Sequence, residues 1–136
     1  MTSIISGKEL SQKILSELKS EVLTIKKQHN INPCLAVILV GNDQASKVYV
    51  ANKRRTCEEI GILSKAYDLP SSTTMKELLK IIHELNNSPN VHGILCQFPL
   101  PSGLNEQEAI LAINPSKDVD GLHPLNVGLL ATAQPK

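Results

Sequence analysis

The sequence has no tryptophan and few aromatic side chains of any kind, 2% of its 136 residues. That scarcity argues against the stacking platforms on which nucleic-acid bases or sugars lie. An excess of one charge is missing too: 14 Lys and Arg stand against 13 Asp and Glu, a net charge of +1. No basic excess points to nucleic acid, and no basic run to an anionic membrane. The three cysteines, Cys34, Cys57 and Cys96, form no Cys-x-x-Cys pair, so neither a disulfide framework nor a zinc site is suggested. His29, His83, His92 and His123 are scattered away from Cys and Glu at ligand spacing, and no metal is expected. No apolar run approaches the ~20 residues of a membrane span. Met1 to Lys8 holds no long apolar core of a signal peptide. Gly41 is followed by neither Gly-x-Gly-x-x-Gly nor Gly-Lys-Ser/Thr, so no phosphate cradle is encoded. A cytoplasmic or organelle-matrix location fits these absences.

What is present reads as one domain, long enough to bury a single core without staples. Ser6, with Glu9 three residues on, predicts a capping box. Leu10, Ile14, Leu15, Leu18, Val22 and Ile25 then recur at helical spacing to about Gln28. Cys34 to Val40 is a solid apolar run ending at Gly41, the pattern of a strand buried on both faces. Asn42 or Asp43 caps a second helix that ends near Gly61, with Val48, Val50, Ala51 and Ile60 as its apolar side and Arg54 solvated. Ser64 to Leu69 is a weaker strand. Ser72 or Thr73 caps a third helix through Leu85, Val91 to Phe98 forms a third strand, and Asn105 opens a short helix. Asn114 to Lys136 reads as loop with at most one helical turn. Strands alternating with helices predict an α/β fold, a mostly parallel sheet flanked by helices in three layers. Ligands in such sheets bind beyond the carboxyl ends of the strands.

Three places carry candidate chemistry. Tyr49 and Lys53 are four residues apart, so the phenol and the amine share one helical face. If that face meets a pocket, the ring can stack on a flat ligand and the amine can move protons. The same spacing also makes an ordinary amphipathic face. Gln97, a polar amide at the end of an apolar strand just before Pro99-Leu100-Pro101, must find hydrogen bonds if buried, or reach water. Asp118 and Asp120 lie in a turn-rich loop closed by Gly121. They are either a solvated turn or a carboxylate gripping an amidine-like N–H pair. A calcium loop is excluded, because further oxygen ligands and a terminal Glu do not follow. The Tyr-x-x-x-Lys spacing is similar to that of short-chain dehydrogenases, but their Gly-rich opening and their length are both absent.

Three blocks together resemble the methylenetetrahydrofolate dehydrogenase/methenyltetrahydrofolate cyclohydrolase family. They are Val40 to Lys53, Gly93 to Pro101, and Pro115 to Gly128, and the likeness runs from about Ser6 to Leu130. The resemblance implies that family's N-terminal domain fold. It implies that Lys53 is the acid/base group, that Tyr49 stacks on the folate, and that Gln97 hydrogen-bonds Lys53 and positions it. Asp120 would anchor the pterin amino and ring N–H groups, while Ser46 and Pro99, Leu100 and Pro101 line the same cleft. The family continues Asn-Val-Gly-Arg-Leu where this chain has Leu129 in place of the Arg.

The resemblance also implies a parent protein, a cytoplasmic homodimer, active in one-carbon metabolism and purine biosynthesis. It would oxidise 5,10-methylene-tetrahydrofolate with NADP and hydrolyse the methenyl product to 10-formyl-tetrahydrofolate. Residues 1–130 are expected to be the folate-binding catalytic domain. Residues 131–136 are expected to start a linker to an NADP-binding Rossmann domain absent here, so that this chain alone holds no NADP and performs no dehydrogenation. The alternative is a non-catalytic folate-binding or assembly domain.

Overall fold

In the computed structural model, residues 6–134 are described. The segment 1–5 read for a leader, and positions 135–136 of the expected linker, lie outside the described residues. Helices α1 (Gly7–His29), α2 (Gln44–Ile60), α3 (Met75–Asn87), α4 (Glu106–Ala112) and α5 (Pro124–Ala131) alternate with strands β1 (Cys34–Val40), β2 (Leu63–Leu69) and β3 (Gly93–Cys96). The sheet is wholly parallel in the order β2-β1-β3. In the register, Ile38 lies opposite Tyr67 on one side and Cys96 on the other.

The apolar run of β1 is explained by this central place. Ala36, Ile38 and Val40 face α3 and α4, packing with Leu78, Ile82, Ile94, Cys96, Ala109 and Ile113. Val37 and Leu39 face the other way, onto Val50 of α2 and Leu95. Burying each of the Val, Leu and Ile side chains among them stabilises the fold by about 1.5–3 kcal/mol. Strand β2 is an edge, and none of its residues is fully buried. The three-layer expectation holds, with α3 and α4 on one face and α2 on the other.

Helix α1 packs on α2. Only Val22 of its apolar set is buried, and Leu10, Ile14, Leu18 and Ile25 stay exposed. The reason is geometric: a helix in an outer layer needs one narrow contact line, and a wider stripe finds no partner. Ser6 caps α1 by accepting the Glu9 N–H. The reciprocal box occurs instead at α3, where Thr74 and Glu77 bond each other's backbone. The cap of α3 is therefore Thr74, not Ser72 or Thr73. Thr73 is buried, and its hydroxyl donates to the Pro70 carbonyl at 2.7 Å.

Three further expectations are corrected. Helix α2 buries Ser46, Val50, Cys57 and Ile60, leaving Val48 61% exposed; the spacing from the buried residues puts Val48 on the outer face. Arg54 is half-buried, not solvated, and its guanidinium donates through both terminal nitrogens to Asp68 at 3.1 and 2.6 Å. Residues beyond 114 hold more than one helical turn, the eight-residue α5. Pro124 sits in the first turn of α5, where its fixed φ favours the helix, and the His123 Nδ1 accepts the Leu125 N–H.

Candidate functional site

The carboxyl ends of β1 and β3 lie side by side, so the turns that leave the two strands meet there. Gly41, at the end of β1, takes φ 86°, a conformation that a side chain disfavours. A Cβ at Gly41 would lie 3.0 Å from the Pro101 ring. The turn after β3 thus rests on the turn after β1. Asp43 caps α2 by accepting the Ser46 N–H at 2.7 Å, and Ser46, through its hydroxyl first and its N–H second, holds the Asp43 carboxyl below the usual carboxylate range. Ser46 itself is buried against this cap.

Two turns along, Lys53 is half-buried, and its Nζ donates to Gln97 Oε1 at 3.3 Å. The rest of the Gln97 amide is committed as well. Its Nε2 donates to the Phe98 carbonyl at 2.8 Å, and its backbone N–H extends the ladder to the Ile38 carbonyl at 2.9 Å. With the nitrogen held by a carbonyl, the oxygen must face the amine. The strand-end amide is therefore a positioned acceptor rather than a group left to water.

Tyr49, one turn before Lys53, is 63% exposed and stands on open surface beside it. Pro99 is exposed, and Leu100 packs toward the core under α3 and α4. The Leu100 N–H donates to Glu106 at 2.8 Å, which braces this turn.

The acidic loop is built differently. Lys117 reaches back with its ammonium to the carbonyls of Leu85 and Ser88, at 2.9 and 2.8 Å, at the end of α3. The Ile94 N–H donates to the Lys117 carbonyl, and Asp118 pairs with Ile94 as a short parallel bridge on the free side of β3. That approach needs Gly93, because a Cβ there would lie 2.5 Å from Val119 Cγ1. The two carboxylates then part ways. Asp118 accepts the His123 N–H and the Asn126 side-chain N–H, both at 2.9 Å. Burial alone would raise its pKa, but Asn126 and the N–H groups of His123, Leu122 and Gly121 together bring it below the usual range. Asp120 is exposed, and its charge is felt at Cys96. Burial first, then Asp120 and Glu106, push the Cys96 thiol up to about 12, which leaves it an inert core group. A groove of about 770 Å³ between this loop and α5 is lined by Asp120, Leu125, Asn126 and Leu129 among others.

A family model, tetrahydrofolate dehydrogenase/cyclohydrolase, catalytic domain, matches residues 5–120. The chain belongs to this family. Among its relatives is the bifunctional protein FolD of Acetivibrio thermocellus, 55% identical over 132 residues, which are 97% of this chain and 46% of that protein. The crystal structure of the bifunctional FolD methylenetetrahydrofolate dehydrogenase/cyclohydrolase from Campylobacter jejuni superposes with a TM-score of 0.90 at 48% identity, covering 93% of this chain and 44% of that one. The Trypanosoma brucei methylenetetrahydrofolate dehydrogenase-cyclohydrolase, solved with NADP cofactor and an inhibitor, gives 0.93 at 30% identity, covering 99% of this chain and 46% of that one. The chain thus spans about half the length of the relatives it matches.

For a dehydrogenase/cyclohydrolase domain, the sequence places Lys53 and Gln97 correctly as a bonded pair. It leaves Asn126 and Lys117 without roles, although both lie in the third block. Their backbone partners, Pro115, Leu85 and Ser88, could not be found from residue types. Among the described residues no group of His, Cys, Asp and Glu could hold a metal ion, and no helix is long and apolar enough to cross a membrane.

Proposed function

We propose that residues 1–130 form the folate-binding catalytic half of a bifunctional methylenetetrahydrofolate dehydrogenase/methenyltetrahydrofolate cyclohydrolase. The observation that carries this reading is the 3.3 Å bond from Lys53 to an oriented Gln97 where β1 and β3 end. In the cyclohydrolase step, water attacks the methenyl carbon and Lys53 takes a proton from it. As the carbon–N5 bond breaks, N5 receives a proton and the carbonyl of 10-formyl-tetrahydrofolate forms, with one proton released overall. Gln97 keeps the amine in place, Tyr49 stacks on the folate, and Asp120 receives the pterin N–H groups as a planar pair. Ser46 and the Pro99, Leu100 and Pro101 turn form the wall.

Oxidation of the methylene substrate with NADP belongs to the whole protein. Residues 131–136 begin the connection to its NADP-binding domain. That protein is a cytoplasmic homodimer supplying one-carbon units for purine biosynthesis.

The test is methenyl-tetrahydrofolate hydrolysis, followed by absorbance loss and corrected for the uncatalysed rate, in this chain and in Lys53→Met. Loss of about 10²-fold or more in the variant, the contribution of a positioned acid/base, is expected with the fold intact. Folate binding without Lys53-dependent turnover would instead make this domain a folate-binding or assembly scaffold.

A further inference from the structure

The two carboxylates of the acidic loop have different jobs, and the structure shows how one is used to place the other. Asp118 is occupied, with His123 N–H and Asn126 Nδ2 both on its Oδ2. Asp120, two residues on, accepts no hydrogen bond among the described residues and is exposed. Asn126 comes from α5, and its nitrogen donates twice, to Asp118 and to the Pro115 carbonyl, each at 2.9 Å. Both neighbours are pure acceptors, so only the amide nitrogen can face them, and each of its two N–H groups has its own partner. One side chain therefore ties the entry of the loop, at Pro115, to its middle, at Asp118, and joins both to α5. Asp120 lies in the short turn between Asp118 and His123, whose ends are joined by the His123 N–H on Asp118 Oδ2, the same oxygen that Asn126 holds.

We infer that Asn126 is a positioning residue for folate recognition, acting through Asp118 to aim the Asp120 carboxylate. This rests on the reading of Asp120 as the pterin anchor. An exposed carboxylate on an untied loop would sample many orientations, and a planar pair of N–H groups can be gripped from few of them. The same bridge makes α5 part of the site's support, although no side chain of α5 is asked to touch the ligand.

The test is a double-substitution cycle read by the affinity of this chain for 5-formyl-tetrahydrofolate, by calorimetric titration, with circular dichroism to check each fold. Asp120→Ala is expected to weaken binding by about tenfold or more, and Asn126→Ala by roughly tenfold, as for loss of hydrogen bonds to a charged group. In the Asp120→Ala background, Asn126→Ala should then change affinity less than about twofold, because its target is gone. If Asn126→Ala does not fold, Asn126→Ser, too short to reach both acceptors, carries the same cycle. An equal loss in both backgrounds would show general support of the domain and overturn the inference. So would an Asn126→Ala chain that binds as wild type while Asp120→Ala does not, and the role of Asp120 would then stand. Wild-type binding that is absent, or insensitive to Asp120→Ala, would remove that role and the inference with it.

Discussion

The two halves of the candidate site are supported in opposite ways. Lys53 and Gln97 belong to α2 and to the residue after β3, elements whose other faces are in the core through Val50, Leu95 and Cys96. Their 3.3 Å bond is a by-product of how a helix and a strand end pack. Asp120 has no such backing. Its loop is held from outside, by Lys117 on the end of α3, by Asn126 on α5, and by the close passage of Val119 over Gly93. A site can thus be rigid because its residues are rooted in the core, or because a few polar side chains grip the backbone. The first kind fails only when the domain fails. The second can fail alone.

That difference can be broken from either side. Beyond the loss of turnover expected for Lys53→Met, the largest effect should come from the core. Ile38→Ala, at a fully buried position of β1, is expected to destabilise the domain by about 2–5 kcal/mol. Urea unfolding measures it, and Lys53-dependent turnover should vanish in step with the folded fraction. Turnover that fell while the domain stayed fully folded would contradict the claim that this half is rooted in the core.

Gly93→Ala should act mainly on the other half. Val119 or the loop must shift to admit the methyl, at a cost of about 1–3 kcal/mol. Folate affinity is expected to fall more than the methenyl turnover of ligand-saturated protein. An equal fall in both would show that the shift reaches Lys53.

The smallest effect is one of pH. Asp118 has a folded-state pKa below its ordinary value, so its contribution is complete above about pH 4, the unfolded value. It is lost as pH falls through the lower folded value. Asp118→Asn should melt below wild type at neutral pH, and the gap should close as the pH drops below about 4. A gap that stayed constant would mean that the charge of Asp118 does not brace the loop.

How far the sequence could be read obeys the same division. The apolar run of β1, the Asp43 cap, the Gly61 stop and the four-residue spacing of Tyr49 and Lys53 are local patterns, and the structure keeps them. Gln97 was legible in part: a polar residue closing an apolar strand needs a partner or water, and the resemblance implied that the partner is Lys53. The exposure of Val48 and the half-burial of Arg54 were not, because the inward direction of α2 is fixed by the sheet beneath it. Helix α5 was hidden too: a short, mostly apolar segment with a glycine inside it carries little helical periodicity, and its cap is a histidine nitrogen.

By itself, then, the sequence determined the alternation of elements, the solid central strand and the identity of the chemical groups, since these depend on residues close along the chain. The resemblance names Asp120 as the anchor, but only the tertiary structure shows that Asp118 is spent on the loop while Asp120 stands exposed. Asp118 and Asp120 are alike in type and two residues apart. What separates them is Asn126, His123 and the edge of β3, groups that meet only when the chain has folded.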